Sequence, residues 1–196
     1  MSNIDQIIET GREELRNHDL YQLMKSGKIN EEYYAWLLWQ CRWRYERLED
    51  YAEELGIFQE FPELQRYTRI RDDFEELWKH KLGHKRPPYI AAKPATDFMK
   101  HIKELFEDEE QDDLQILAYM YVITIGDIEA GGDLLGKVPG EGKILQFSGN
   151  LQDLKSRILA KLDSSKTDMT DELQECFRLM IDLYNRVWDE DSMSKF

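Results

Sequence analysis

Leucine, isoleucine, tryptophan and tyrosine recur three or four positions apart along this chain with charged residues between them, and runs of alternating Val, Ile and Thr are missing. The pattern predicts an all-α fold, with helices near residues 4–17, 19–26, 30–55, 62–82, 95–108, 111–136, 150–162 and 169–190. Start signals accompany several of them. Asn30 precedes Glu31 and Glu32, Thr96 precedes Asp97, and Thr170 precedes Asp171 and Glu172, each a side-chain oxygen able to cap free backbone N–H groups ahead of an acidic first turn. Helix is broken across 83–94 (GHKRPPYIAAKP) by prolines and across 138–143 (VPGEGK) by turn residues. Neither break is long enough to separate domains, so residues 1–196 read as one domain.

One helical stretch breaks its own rules. Residues 118–137 (AYMYVITIGDIEAGGDLLGK) carry Gly126, Gly131, Gly132 and Asp127 inside the helical pattern. Each interior glycine gives up roughly 1 kcal/mol relative to alanine, so the sequence must gain something there. Two readings stand: a packing notch or helix end, or a bend that brings backbone close to a ligand with the Asp127 carboxylate facing the same space.

Composition narrows the partners. The net charge of −14 argues against nucleic acid and against anionic membrane, both of which are bound by clustered Lys and Arg. No apolar run is long enough to cross a bilayer, and residues 1–15 lack the basic start and apolar stretch of a signal peptide. Cys41 and Cys176 stand far apart among apolar and aromatic residues, which predicts buried thiols in a reducing, cytoplasmic setting rather than a disulfide or a nucleophile.

The aromatic run 33–51 (YYAWLLWQCRWRYERLEDY) aligns Trp36, Trp39 and Trp43 on one helix face, a wall that reads as core and that a flat ligand could share. Histidines are few. Glu76, His80 and His84 follow one another by a helical turn and could converge on a non-heme metal, but no second Glu-x-x-His motif accompanies them, and a surface cluster is the simpler reading. No phosphate-binding loop or dinucleotide fingerprint occurs.

Taken together, these stretches resemble the heme oxygenases. Tyr121, Gly126, Asp127, Ala130 and Gly131 match that family's distal helix in order, and 154–163 (LKSRILAKLD) resembles its basic turn. The last helix, with Phe177 and Tyr184, and 61–77 (FPELQRYTRIRDDFEEL) extend the likeness over nearly the whole chain. The resemblance implies a helical sandwich holding heme, both substrate and cofactor, between a proximal and a kinked distal helix. It implies ring opening to biliverdin, CO and iron with O₂ and an external donor such as ferredoxin. Gly126 and Gly131 would allow close approach and Asp127 would hold a proton-donating water, while Tyr121, Lys155 and Arg157 would fix the ring's carboxylates and Ala130 and Phe177 would line its faces. Departures accompany the likeness. The family ligates iron through a histidine on its first helix, where this chain has Glu14 or a close neighbour, His18 being the nearest imidazole. Ile123, Ala130 and Met180 also differ from the family's preferences. The alternative implied is a catalytically degenerate member acting as a binding or protein-interaction module.

Overall fold

A computed structural model describes residues 3–86, 91–108, 114–165 and 168–189. Asn30 opens the longest helix as its sequence suggests, its Oδ1 accepting the Tyr33 N–H at 2.8 Å. Asn150 does the same for Asp153 at 3.0 Å. Eight main helices result among the described residues: α1 (Asn3–Asn17), α2 (Asp19–Lys25), α3 (Glu31–Glu54), α4 (Tyr67–Glu75, continued by Glu76–Lys81), α5 (Lys93–Glu107), α6 (Leu114–Met120, Tyr121–Ile125 and Gly126–Leu134 end to end), α7 (Leu151–Asp163) and α8 (Thr170–Trp188). No strand occurs among these residues. Residues 111–113 and 190, which the sequence places in helices, lie outside the described residues.

Differences from the sequence expectation have local causes. Helix α5 starts before Thr96 because Pro94 fits its first turn, and the Thr96 hydroxyl donates to the Lys93 carbonyl inside the helix. The helix expected over 62–82 is split. Pro62–Leu64 forms a 3₁₀ turn and α4 begins at Tyr67, where the Glu49 carboxylate of α3 accepts the N–H groups of Arg66 and Tyr67 at 2.6 and 2.5 Å. A side chain distant in sequence thus supplies the cap that Arg66 cannot. In α6 the irregularity expected around the glycines takes the form of a π-helical turn, Tyr121–Ile125, directly before Gly126.

Helix α3 packs on α4, α5 and α6, while α8 packs on α1, α5 and α6 and α7 lies against α6. The aromatic wall serves the core: Tyr33, Tyr34, Trp39, Tyr45 and Tyr51 are buried, and Trp39 meets Trp43 edge-on and Phe74 at 5.0 Å. Cys41 and Cys176 are free, buried thiols whose pKa burial pushes up. Glu76 and His80 fall in the π-helical end of α4, and His84 stacks on Trp78 and faces Glu32. Among the described residues no group of three His, Cys, Asp or Glu could hold a metal ion, and no helix is long and apolar enough to cross a membrane.

Candidate functional site

Helix α1 is amphipathic, with Ile8, Gly11, Arg12 and Leu15 on its buried face at helical spacing. Gly11 lets α8 come close: a Cβ there would fall inside the Phe177 ring. With α1 seated on α8, its neighbouring face looks across a narrow cleft at α6. Arg12 and Leu15 of α1 line one side and Gly126, Asp127 and Ala130 of α6 the other, with Phe177, Met180 and Tyr184 of α8 at the end. The cavity left between them is about 40 Å³. A second, larger groove of about 510 Å³ runs on the other side of Phe177, between α1 and α8, over Ile7, Gly11 and Ile181.

Arg12 dominates the cleft. It is 5% exposed, its Nη1 lies 2.9 Å from Glu129 Oε2, and its guanidinium sits 5.5 Å from the centre of the Tyr121 ring. The other oxygen of Glu129 accepts from Lys155 Nζ of α7 at 2.5 Å. One partly buried carboxylate therefore joins two cations, and Nε and Nη2 of Arg12 are buried with no hydrogen-bond partner. An orphaned buried donor costs on the order of 1–3 kcal/mol, so this arrangement is under-satisfied. Burial raises the Tyr121 pKa, with the Arg12 charge opposing it.

Asp127 lies one residue past the π turn and reaches α3, where the Tyr45 hydroxyl donates to its Oδ2 at 2.6 Å. Burial raises its pKa, opposed by the nearby Arg44 charge and the Tyr45 hydrogen bond. The same burial, with Asp127 beside it, raises the Tyr45 hydroxyl well above its ordinary value. Farther along α6, Asp133 accepts from Tyr21 and Lys25, pinning α2 to the same helix.

The remaining sequence candidates divide. Gly126, Asp127, Ala130 and Phe177 come together in the cleft, and Tyr121 and Lys155 border it through Arg12 and Glu129. Gly131 faces away: a Cβ there would strike the carbonyl oxygen of Leu145, so this glycine serves close approach of protein backbone. Arg157 also faces elsewhere, its Nη2 donating to Glu63 at 2.6 Å and its Nε to Asp153 at 3.1 Å. Two residues apart on a helix is about 200° of rotation, so Lys155 and Arg157 cannot serve one point. Sequence reasoning missed Arg12, Glu129, Tyr45 and Gly11. The available signal was a glycine and an arginine sitting on the otherwise apolar stripe of α1.

The iron-ligand candidates lie outside this cleft. Glu14 lines the α1/α8 groove. His18 caps α2, its Nδ1 accepting the Leu20 N–H at 3.0 Å, and its Nε2 lies 3.1 Å from Asn185 Oδ1. The side chains that α1 contributes to the cleft lining are Arg12, Leu15 and Arg16, two guanidiniums and a leucine, none of which ligates iron. The residues of the cleft do not fit a heme held by an axial ligand from α1.

No family model matches the sequence, and no curated protein does. Solved structures do. Heme oxygenase-1 from the cyanobacterium Synechocystis sp. PCC6803, in complex with heme, superposes with a TM-score of 0.77 at 14% identity, covering 100% of this chain and 95% of that one. Heme oxygenase from Leptospira interrogans gives a TM-score of 0.73 at 17% identity, covering 92% and 96%. At such low identity the likeness speaks for architecture: the chain has the all-α heme oxygenase fold.

Proposed function

We propose that the protein binds a tetrapyrrole, heme or a related closed or open ring, between α1 and α6 without ligating its metal, and acts as a binding module of the heme oxygenase fold. The observation that carries this is Arg12, a buried guanidinium on the α1 face opposite Gly126 and Ala130. It offers a ring's acid groups a partner and offers iron none. The heme complex of the Synechocystis protein supplies the ligand class. Gly126 adds space, since a Cβ there meets nothing within 4 Å. A cavity of 40 Å³ is far below the roughly 300–1,000 Å³ of ordinary ligand sites, so binding requires α1 to move away from α6.

The test is a titration of the purified chain with hemin and with metal-free protoporphyrin. The expected result is saturable binding of both, with affinities within about threefold, under 1 kcal/mol. Hemin binding far tighter than metal-free ring, with an imidazole spectrum abolished by His18→Ala or a carboxylate spectrum abolished by Glu14→Ala, would overturn it.

One observation favours a second reading, oxidative opening of heme to biliverdin, CO and iron with O₂ and a reductant such as ferredoxin. Asp127 stands at the cleft edge, partly buried and with its pKa raised by that burial, where the resemblance wants it. Loss of bound hemin with formation of biliverdin on adding ascorbate or reduced ferredoxin would establish that reading, and persistence of the hemin spectrum would remove it.

A further inference from the structure

We propose that the Arg12–Glu129 contact is a tie keeping α1 against α6, and that only a ligand with free acid groups, which takes over as counter-ion on the open edge of Arg12, releases it. The proposal rests on the tetrapyrrole reading for its ligand class and on the structure for its tie. Two cations, Arg12 and Lys155, share one carboxylate whose side chain is 16% exposed. Glu9 approaches Arg12 only at 3.9 Å and is largely in solvent. The centre therefore carries a net positive charge and two unpartnered N–H groups, Nε and Nη2, on the guanidinium edge that carboxylates grip with two hydrogen bonds.

An incoming acid group satisfies that edge and supplies the missing negative charge. Glu129 then keeps Lys155, which lies on α7, so the exchange strands no charge. What is lost is the ion pair between α1 and α6, and α1 is free to move off with Arg12 and ligand together. A ring whose acids are esterified brings no counter-ion and leaves Arg12 unpaired once Glu129 is withdrawn, which is penalised strongly in a buried setting. The pair thus selects acids over esters and resists opening by apolar molecules that fit the cleft by shape alone.

The experiment uses the full chain and three variants, Glu129→Gln, Arg12→Lys and Arg12→Gln, each titrated with protoporphyrin and with its dimethyl ester. Hydrogen exchange of the α1 amides is measured in parallel without ligand. In Glu129→Gln the α1 amides are expected to exchange faster, and the free acid to bind about tenfold tighter, since Arg12 has lost its resident partner. Arg12→Lys keeps the charge and loses the two-pronged edge, so the preference for acid over ester should shrink, and Arg12→Gln should abolish it. Equal binding of acid and ester by the unaltered chain, or α1 exchange in Glu129→Gln that matches the unaltered chain, overturns the proposal. Faster α1 exchange in a protein that binds neither ring overturns the ligand class, and the functional reading with it, while leaving the tie in place.

Discussion

Two faces of α6 are built to opposite standards. On one, Gly131 receives the backbone of Leu145 at a distance no side chain would allow, and the connecting segment is held by side chains of α4 and the turn before it. Asp73 of α4 accepts the N–H groups of Lys143 and Ile144, both at 2.8 Å, and the Arg66 guanidinium donates to the carbonyls of Ile144 and Gln146. On the other face Gly126 meets nothing, a small cavity persists, and Arg12 keeps two unpaired donors. The same residue type, five positions apart on one helix, is used for tight packing in one place and for room in the other. Orphaned donors alone do not separate the faces, since Arg66 Nε is also buried without a partner; what differs is the space beside Gly126, and it is there that the proposed ligand would sit.

The largest effect should come from the satisfied face. Replacing Arg66 with methionine keeps volume but strips two buried carbonyls of a charged donor, and should lower stability by about 3–5 kcal/mol, read as a fall in the urea midpoint. A comparable loss from Arg12→Met would erase the contrast, because Arg12 has fewer bonds to lose and gains relief from its orphaned donors. Gly131→Ala should come next, at about 1–3 kcal/mol, since its Cβ must displace the Leu145 carbonyl and with it the segment Asp73 and Arg66 hold.

A pH dependence sharpens the same point. Burial pushes the Glu49 carboxyl from 4.5 up to about 7, against the pull of two backbone N–H groups. Both N–H bonds end on Oε1, which leaves Oε2 free to hold the proton. Because the folded chain binds this proton more tightly than the unfolded one, the group's contribution is greatest below its unfolded value, declines as pH rises toward 7 and is constant above it. Partial exposure trims the effect, and stability is expected to be about 2 kcal/mol lower near pH 8 than near pH 5. Asp73 and Asp127, both raised by burial, add slope of the same sign. Glu49→Gln keeps the Oε1 acceptor and should flatten the profile by its own share; an unchanged profile would mean the α4 cap is not buried in solution.

The helices were legible in the sequence because they depend on local spacing and local caps: Asn30 announces α3, and the apolar stripe of α8 announces its buried face. What the sequence hid was set at long range. The interruption at Arg66 is made by Glu49, seventeen positions earlier, and the segment after Gly142 is ordered by Asp73, seventy positions away from Lys143. The cleft was half legible for the same reason. Gly126, Asp127 and Ala130 sit in one motif and could be read together, whereas Arg12, Glu129 and Lys155 meet only once three helices are packed. Gly131 belonged to the motif by sequence and to the opposite face by geometry, since one residue beyond Ala130 is about 100° around the helix.

The smallest effect carries the opposite sign. Gly126 has helical backbone angles, φ −57° and ψ −47°, and open space where a Cβ would stand. Alanine there removes the conformational freedom of glycine in the unfolded chain without a clash in the folded one, so Gly126→Ala should raise stability by about 0.5–1 kcal/mol. The urea midpoint should rise with its slope unchanged. The added methyl points into the space a ligand needs beside Asp127 and Ala130, so the same variant should bind protoporphyrin more weakly while Gly132→Ala, equally free of contacts but absent from the cleft lining, should gain stability and keep its affinity. A destabilised Gly126→Ala would show that α1 closes on α6 as tightly as Leu145 closes on Gly131, and the two faces would then be alike. Stability gained and affinity lost together would mean that this glycine is kept for the ligand, against the preference of the helix that contains it.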